Sequence, residues 1–339
     1  MKSLAYGQVC EIVTSLGEPS FRGKQVYEWM HSKLARSYED MTNLPKELRR
    51  QLTEQTTYTT METLRVQESA TDGTKKFLFA LEDGNMVESV WMKYKHGNSV
   101  CISSQIGCRM GCRFCASTLD GLERSLTTAE MLEQIYEITR ITGERVSNVV
   151  IMGMGEPFDN YHNLIGFLAL ITDEKGLNIS ARNITVSTCG IVPRILEFAK
   201  ENYQVTLALS LHATTDEKRK RLMPIANVYS LEAVMEACKY YFDQTGRRLT
   251  FEYSLVRGVN DTDEDAKELV SLVAGMNCHV NLIPVNPVDE CNFLQSHHNE
   301  IINFKNKLEK NRINVTIRRE MGRDIEGACG QLRRRELKG

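Results

Sequence analysis

The chain has 339 residues, 42% of them hydrophobic and 25% charged, with a formal net charge of −2 at neutral pH. That composition fits a soluble globular protein able to bury a core, and it excludes a chain-wide basic field, so any nucleic-acid contact must come from local patches. No apolar run approaches the ~18–20 residues of a membrane helix, and Gln8 and Glu11 break any signal-peptide core, which leaves the cytoplasm as the expected compartment with no membrane partner.

Residues 1–57 read as a small helical accessory domain. SLGEPSFRGKQVYEWMHSK carries apolar residues near helical spacing after a Gly-Glu-Pro-Ser start, and KELRRQLTEQ makes a second helix after Asn-Leu-Pro. The segment is rich in Lys and Arg, which suits either a solvated helix face or a surface that touches RNA phosphates. Residues 58–98 read as strands and turns, with Asp83-Gly84 turning between two of them. This β-rich linker would bridge two domains or cap a sheet edge.

From 99 to 339 short apolar strands alternate with helical stretches. The strand candidates are 99–104, 148–153, 183–188, 205–211, 250–255, 279–285 and 315–319. The helices are TTAEMLEQIYEITRIT, VPRILEFAKEN, LEAVMEACKYYFDQ, DEDAKELVSLVAGM and NEIINFKNKLEK. This order predicts an α/β fold, a parallel sheet with helices outside, as a partial (β/α)6 TIM-like barrel whose chemistry sits at the C-terminal ends of the strands. The closing RRRELKG reads as a mobile basic tail.

The chemically notable residues fall at those strand ends. The loop after the first strand holds Cys108, Cys112 and Cys115 in a C-x3-C-x2-C spacing. Gly155 and Glu156 in GMGEP follow the second strand, and Ser187 lies near the end of the third. Ser210, Leu211 and His212 close the fourth, and Asn286 follows the sixth. In a reducing compartment, ten cysteines point to metal binding, catalysis or burial rather than a disulfide framework. Three thiolates can hold an iron–sulfur cluster that leaves one iron without a protein ligand. A zinc site with Cys101 as fourth ligand, or unconnected buried thiols, are the competing readings. The GMGEP glycines allow close backbone approach, Glu156 can accept from an ammonium group, and the rim side chains together read as a pocket.

C-x3-C-x2-C with Phe114 before its last cysteine, after the first strand of a β/α barrel, resembles the radical S-adenosylmethionine superfamily. With CISSQIGC, SLHA, NLIPVNP, FRGKQVYEW, MTNLPKELR and the terminal DIEGACGQL, nearly the whole chain resembles the RNA methyltransferases of the RlmN and Cfr type. The ending lies nearer the branch that methylates adenosine at carbon 2 than the carbon-8, antibiotic-resistance branch. The resemblance implies a [4Fe–4S] cluster on Cys108, Cys112 and Cys115 and two molecules of S-adenosylmethionine per turnover, bound at the rim residues. It implies that Cys329 carries the methyl group, that Cys101 resolves a covalent RNA adduct by pairing with it in a disulfide, and that Glu88 accepts a proton.

The implied substrate is an adenosine of 23S rRNA at the peptidyl-transferase centre and, in some members, the adenosine 3′ of the anticodon in tRNA. The implied electron donor is a flavodoxin or ferredoxin, and a monomer is expected. Arg22, Lys24, Arg49, Arg50, Arg318, Arg319 and Arg333 to Arg335 are candidates for phosphate contact. The sequence departs from the family at Cys189, often Ser, and at Gly327, often Ala. Cys10, Cys238, Cys278 and Cys291 take no role. A lone Glu in a strand, such as Glu88, ordinarily faces solvent. A non-catalytic iron–sulfur or zinc protein that binds RNA is the reading from another class, and it needs neither Cys329 nor Cys101.

Overall fold

The computed structural model describes residues 1–338 apart from 96, 286–292, 320 and 326–330, and the side chains of 331, 334, 337 and 338 lie outside it as well. Three helices open the chain: α1 (Tyr6–Ser15), α2 (Ser20–His31) and α3 (Lys46–Gln55). Four strands follow, β1 (Glu62–Glu68), β2 (Lys75–Ala80), β3 (Met86–Tyr94) and β4 (Gly97–Ile102), then a small pair, β5 (Gln105–Gly107) and β6 (Leu122–Ser125). The alternating part runs α4 (Thr128–Thr142), β7 (Val146–Ile151), α5 (Tyr161–Ile171), β8 (Ile184–Thr188), α6 (Val192–Lys200), β9 (Thr206–Ser210), α7 (Asp216–Leu222) and α8 (Leu231–Thr245). It continues with β10 (Leu249–Leu255), α9 (Asp263–Val273), β11 (Cys278–Pro284), α10 (His298–Lys310), β12 (Asn314–Ile317) and α11 (Gln331–Lys338).

One ten-stranded sheet, in the order β1-β2-β3-β4-β7-β8-β9-β10-β11-β12, forms the body. From β4 to β12 its neighbours run parallel, and β1 to β4 pair antiparallel. The order ends at β1 and β12, so the barrel is partial and open. The strands between residues 62 and 94 extend one edge of that sheet. Alternation along each strand divides the side chains between two faces. Phe77, Phe79, Val87, Val100, Ile102, Val149, Ile151, Val186, Leu207 and Leu209 join the main core under the helices. Val90, Met92 and Cys101 form a separate group on the concave face.

Helix ends follow their local chemistry. Thr127 caps α4 with Glu130 in a reciprocal pair, and Gly143 ends it at a φ of 66°. Helix α5 escapes the sequence reading because YHNLIGFLALI is apolar nearly all round and shows no polar stripe at helical spacing. Helix α7 escapes it for the opposite reason: DEKRKRL is charged almost throughout. The expected mobile tail is instead α11. Leu332 and Arg333 are buried, Arg333 N donates to Glu88, and the tail's own Glu336 lies 3.2 Å from Arg65 of β1, so the tail is held against the body rather than left in solvent. Among the described residues no helix is long and apolar enough to cross a membrane.

The N-terminal segment docks on α4 and on the turn after α5 through polar contacts largely shielded from water. Lys2 and Glu133 pair at 2.7 Å with both side chains 0% exposed. The Tyr136 hydroxyl lies 2.7 Å from His31 Nδ1, and Tyr27 donates to Asp173 Oδ2 at 2.7 Å. Burial, with the nearby charge of Lys2, pushes the His31 pKa down to about 3, below its ordinary 6.5. The unfolded chain therefore binds the extra proton more readily. His31 contributes its full stability above pH 6.5 and loses it as pH falls from 6.5 towards 3, at about 1.4 kcal/mol per pH unit. Denaturant unfolding between pH 6.5 and 4 should show a wild-type slope steeper than that of His31→Phe by this amount. Equal slopes would mean that the histidine is not held neutral.

Candidate active site

The cysteine loop is braced before it begins. Gly107 sits at a φ of 73°, and a Cβ there would lie 1.9 Å from the Gly121 carbonyl oxygen, so β5 and β6 approach this closely only with glycine. Cys108 N donates to that carbonyl at 2.9 Å. Cys115 N donates to Cys112 O at 3.1 Å, and Thr118 Oγ1 donates to the carbonyls of Cys112 and Cys115 at 3.1 and 2.9 Å. Arg113 N donates to Leu222 O of α7 at 2.9 Å, and Arg109 forms an ion pair with Asp159 in the turn after β7.

Cys108 is buried and Cys112 and Cys115 are half-buried. Burial pushes Cys108 up to about 12 and raises Cys112 well above its ordinary value, and the neighbouring thiols add to both rises. Cys108 and Cys112 therefore persist as thiolates only beside a cation, and loading must displace their protons. That donor set fits an iron–sulfur cluster. Cys101 packs with Val90 and Met92, in a different apolar group from Cys112. No three His, Cys, Asp or Glu among the described residues converge closely enough for a single metal ion. The zinc reading with Cys101 as fourth ligand thus finds no geometry there.

The rim of the pocket follows from the strand ends. Gly155 has a φ of 97°, and a Cβ would meet Gln105 Cβ at 2.5 Å and its backbone nitrogen at 2.7 Å. Gly155→Ala should cost about 1–3 kcal/mol in denaturant unfolding and weaken S-adenosylmethionine binding by calorimetry; full retention of both would deny the close approach a role. Glu156 is buried, and its carboxylate accepts from Phe158 N at 3.1 Å and Cys189 N at 2.7 Å, which ties the ends of β7 and β8 together. Burial pushes its pKa up. The sequence reading gave it an ammonium to hold; the structure gives it two backbone N–H groups of its own.

Ser187 and Ser210 are half-buried, and their hydroxyls hold no hydrogen-bond partner among the described residues. Leu211 is buried and donates its N–H to Glu252 O at 3.0 Å. His212 Nδ1 accepts from Ser254 N at 2.9 Å, which puts the ring proton on Nε2, and its ring meets Phe114 edge-on at 4.8 Å. Burial, with the charge of Arg219, pushes His212 down to about 3, so it stays neutral. Asn286 and Cys329 lie outside the described residues.

Lys76, Val90, Cys101 and Val150 are in register across β2, β3, β4 and β7, and Glu88 shares their face two residues along β3. Glu88 is not on a solvated face. It is 2% exposed, lies 2.9 Å from the wholly buried Lys76 ammonium, and accepts from Arg333 N of α11 at 2.5 Å. Met321 packs with Val90, Met92 and Cys101. Gly322 N donates to Asp72 at 3.0 Å, and Asp324 accepts from Ser69 Oγ at 2.6 Å and Ala70 N at 2.9 Å. The chain on both sides of residue 329 is therefore tied to the sheet edge that carries Cys101 and Glu88.

Three buried charged residues beside the rim and the Cys101 face were missed by the sequence reading. Lys76 and Glu252 each interrupt an apolar strand, a signal visible in KKFLFA and TFEYSL; Glu252 is in register with Ser210 and Asn281 and accepts from Asn281 Nδ2 at 2.9 Å. Arg219 gave no signal inside DEKRKRL. The basic candidates separate. Arg22, Lys24, Arg49 and Arg50 each lie beside a glutamate of the same N-terminal region, and Arg333 is buried, whereas Arg318 and Arg319 are exposed.

Comparison with known proteins agrees along the whole chain. The model of the radical SAM superfamily matches residues 102–271, and that of the ribosomal RNA large subunit methyltransferase N-terminal domain matches residues 2–57. A probable dual-specificity RNA methyltransferase RlmN of Lachnospira eligens is 63% identical over 337 residues, covering 99% of this chain and 96% of that protein. Its counterpart in Lachnoclostridium phytofermentans is 60% identical over 334 residues, covering 98% and 94%. The crystal structure of a radical SAM methyltransferase from Sphaerobacter thermophilus superposes with a TM-score of 0.93 at 41% identity and covers 98% of both chains.

Proposed function

The chain belongs to the RlmN-type radical S-adenosylmethionine methyltransferases, and from that premise we propose that it methylates carbon 2 of an adenosine in RNA through a methyl group carried on Cys329. The docking of the chain on either side of Cys329 against the face that holds Cys101 and Glu88 carries this reading. When bound, the [4Fe–4S] cluster and S-adenosylmethionine supply a 5′-deoxyadenosyl radical. Cys108, Cys112 and Cys115 would hold the cluster. Gly155, Glu156, Ser187, Ser210, Leu211, His212 and Asn286 would surround S-adenosylmethionine, and the neutral His212 would donate from Nε2.

The Cys329 thiolate would accept a methyl group by displacement, which one S-adenosylmethionine would supply, and that methyl group would give up a hydrogen atom to the radical chemistry that a second would supply. The resulting methylene joins the adenine ring. Glu88 would take the ring proton while one electron leaves the adduct for the oxidised cluster; the Cys101 thiolate would then attack the Cys329 sulfur, so that the methylene carbon departs with the bonding pair, takes a proton to become the methyl group of the base, and leaves the two sulfurs as a disulfide. A flavodoxin or ferredoxin would supply the electron to a monomeric enzyme. The curated relatives are described as dual-specificity enzymes, which supports more than one RNA: the adenosine of 23S rRNA at the peptidyl-transferase centre, and the adenosine 3′ of a tRNA anticodon. Such a base must leave its stack to reach a barrel interior, and single-stranded loops allow this at least cost.

The direct test is anaerobic reconstitution with S-adenosylmethionine, a reductant and a ribosomal RNA fragment, followed by mass spectrometry of the digested nucleosides. 2-Methyladenosine is the expected product. 8-Methyladenosine would overturn the position of attack, and S-adenosylmethionine cleavage without methylated adenosine would overturn the substrate. RNA binding should lean on the exposed Arg318 and Arg319. Alanine at either should lower the slope of log affinity against log salt by about 1, while Arg50→Ala should leave it unchanged; the reverse pattern would place the phosphate grip on the N-terminal helices.

A further inference from the structure

Arg219 is among the largest wholly buried side chains, at 0% exposure. It rises from α7, and the residues that follow it support the cysteine loop. Leu222 O receives Arg113 N, and Met110, Cys112 and Phe114 pack against Cys189, Leu222 and Met223. Its guanidinium donates only to carbonyl oxygens at the ends of β8 and β9: Nη2 to Cys189 at 2.6 Å and Ser210 at 3.5 Å, and Nε to Leu211 at 3.3 Å. Nη1 has no hydrogen-bond partner among the described residues.

A charge sealed from water without an anion costs several kcal/mol. Among the described residues no carboxylate hydrogen-bonds the guanidinium, and Asp216, at the start of the same helix, accepts from Leu231 N instead. Cys189, Cys112 and Cys238 lie within reach of the Arg219 charge. Three thiolates around a [4Fe–4S] core would supply what is missing: net negative charge when oxidised, and one further unit when reduced.

We propose that Arg219 is the counter-charge of the cluster held by Cys108, Cys112 and Cys115, and that its guanidinium eases the one-electron reduction of that cluster. The proposal rests on the reading of those cysteines as ligands. A fixed cation in a low-dielectric setting favours the more negative state, so it raises the midpoint potential.

The test compares wild type, Arg219→Gln and Arg219→Lys as full-length proteins reconstituted anaerobically with iron and sulfide. Midpoint potentials come from dithionite titration with mediator dyes, read by electron paramagnetic resonance without S-adenosylmethionine. Gln keeps donors for the carbonyls but removes the charge, and its midpoint should move negative, while Lys should stay near wild type. An unchanged midpoint in Arg219→Gln, with iron and sulfide content intact, overturns the proposal. A loss confined to S-adenosylmethionine affinity also overturns it, because the anion would then be the carboxylate of that molecule. Melting of the cluster-free proteins is the second measurement. Arg219→Gln should melt no lower than wild type, and a collapsed cluster-free variant would show that the carbonyls alone balance the guanidinium, against the proposal. If Cys112→Ala loads a cluster as wild type does, the ligand reading falls and takes Arg219 with it.

Discussion

Cys101→Ala should turn the enzyme into a protein that reacts once and stays covalently bound to its RNA. In the proposed mechanism every step before release uses groups other than Cys101. The substitution removes one sulfur from a packed site beside Val90 and Met92, so the fold and the cluster loop should survive it. What it removes is the thiol that attacks the Cys329 sulfur, and without that attack the carbon–sulfur chain joining protein to base has no exit. The burial of Cys101 fits such a role. A thiol at 5% exposure is shielded from small oxidants and reacts with a sulfur brought to it by the fold. A denaturing gel with labelled RNA checks this. A slow band sensitive to both protease and nuclease is expected from Cys101→Ala and not from Cys101→Ala/Cys329→Ala. A Cys101→Ala enzyme that turns over repeatedly at the wild-type rate would remove the resolving role.

The barrel was legible because its parallel strands are short apolar runs separated by amphipathic helices, and a parallel connection leaves few other ways to fold. The rim was legible for the same reason: once the strands are placed, Ser187, Ser210 and His212 fall at their C-terminal ends without further argument. Polar groups that owe their neighbours to register alone were not legible. Nothing in KKFLFA says that Lys76 meets Glu88, because the meeting depends on how β2 and β3 pair. Arg219 is one cation among several in its helix, and only the path of α7 beneath the cysteine loop separates it from Lys218 and Lys220. RRRELKG misled in the other direction. Its charge suggested solvent, but Glu88 accepts the Arg333 N–H, Glu123 lies 3.8 Å from the Arg333 guanidinium, and the tail's own Glu336 pairs with Arg65 of β1.

Glu88→Gln should slow RNA methylation by about 10²–10⁴-fold, the usual contribution of a positioned base, while cluster absorbance stays at the wild-type level. The carboxylate does two things that this substitution separates. Its Oε1 accepts from Arg333 N and so anchors α11, the helix that follows Cys329. Gln retains an oxygen for that bond, so the anchoring survives. Its Oε2 lies 2.9 Å from Lys76, and Gln loses both this ion pair and the capacity to take a proton. Breaking a buried ion pair at one partner costs about 3–5 kcal/mol, so slowness alone does not separate lost chemistry from lost stability. Lys76→Met/Glu88→Gln resolves this, because removing both charges of a buried pair is often neutral for stability. Denaturant unfolding should recover in the double variant, and single-turnover methylation, read as methylated nucleoside by mass spectrometry, should not. If methylation recovers together with stability, Glu88 serves the fold through Lys76 and α11, and the proton leaves the ring by another route.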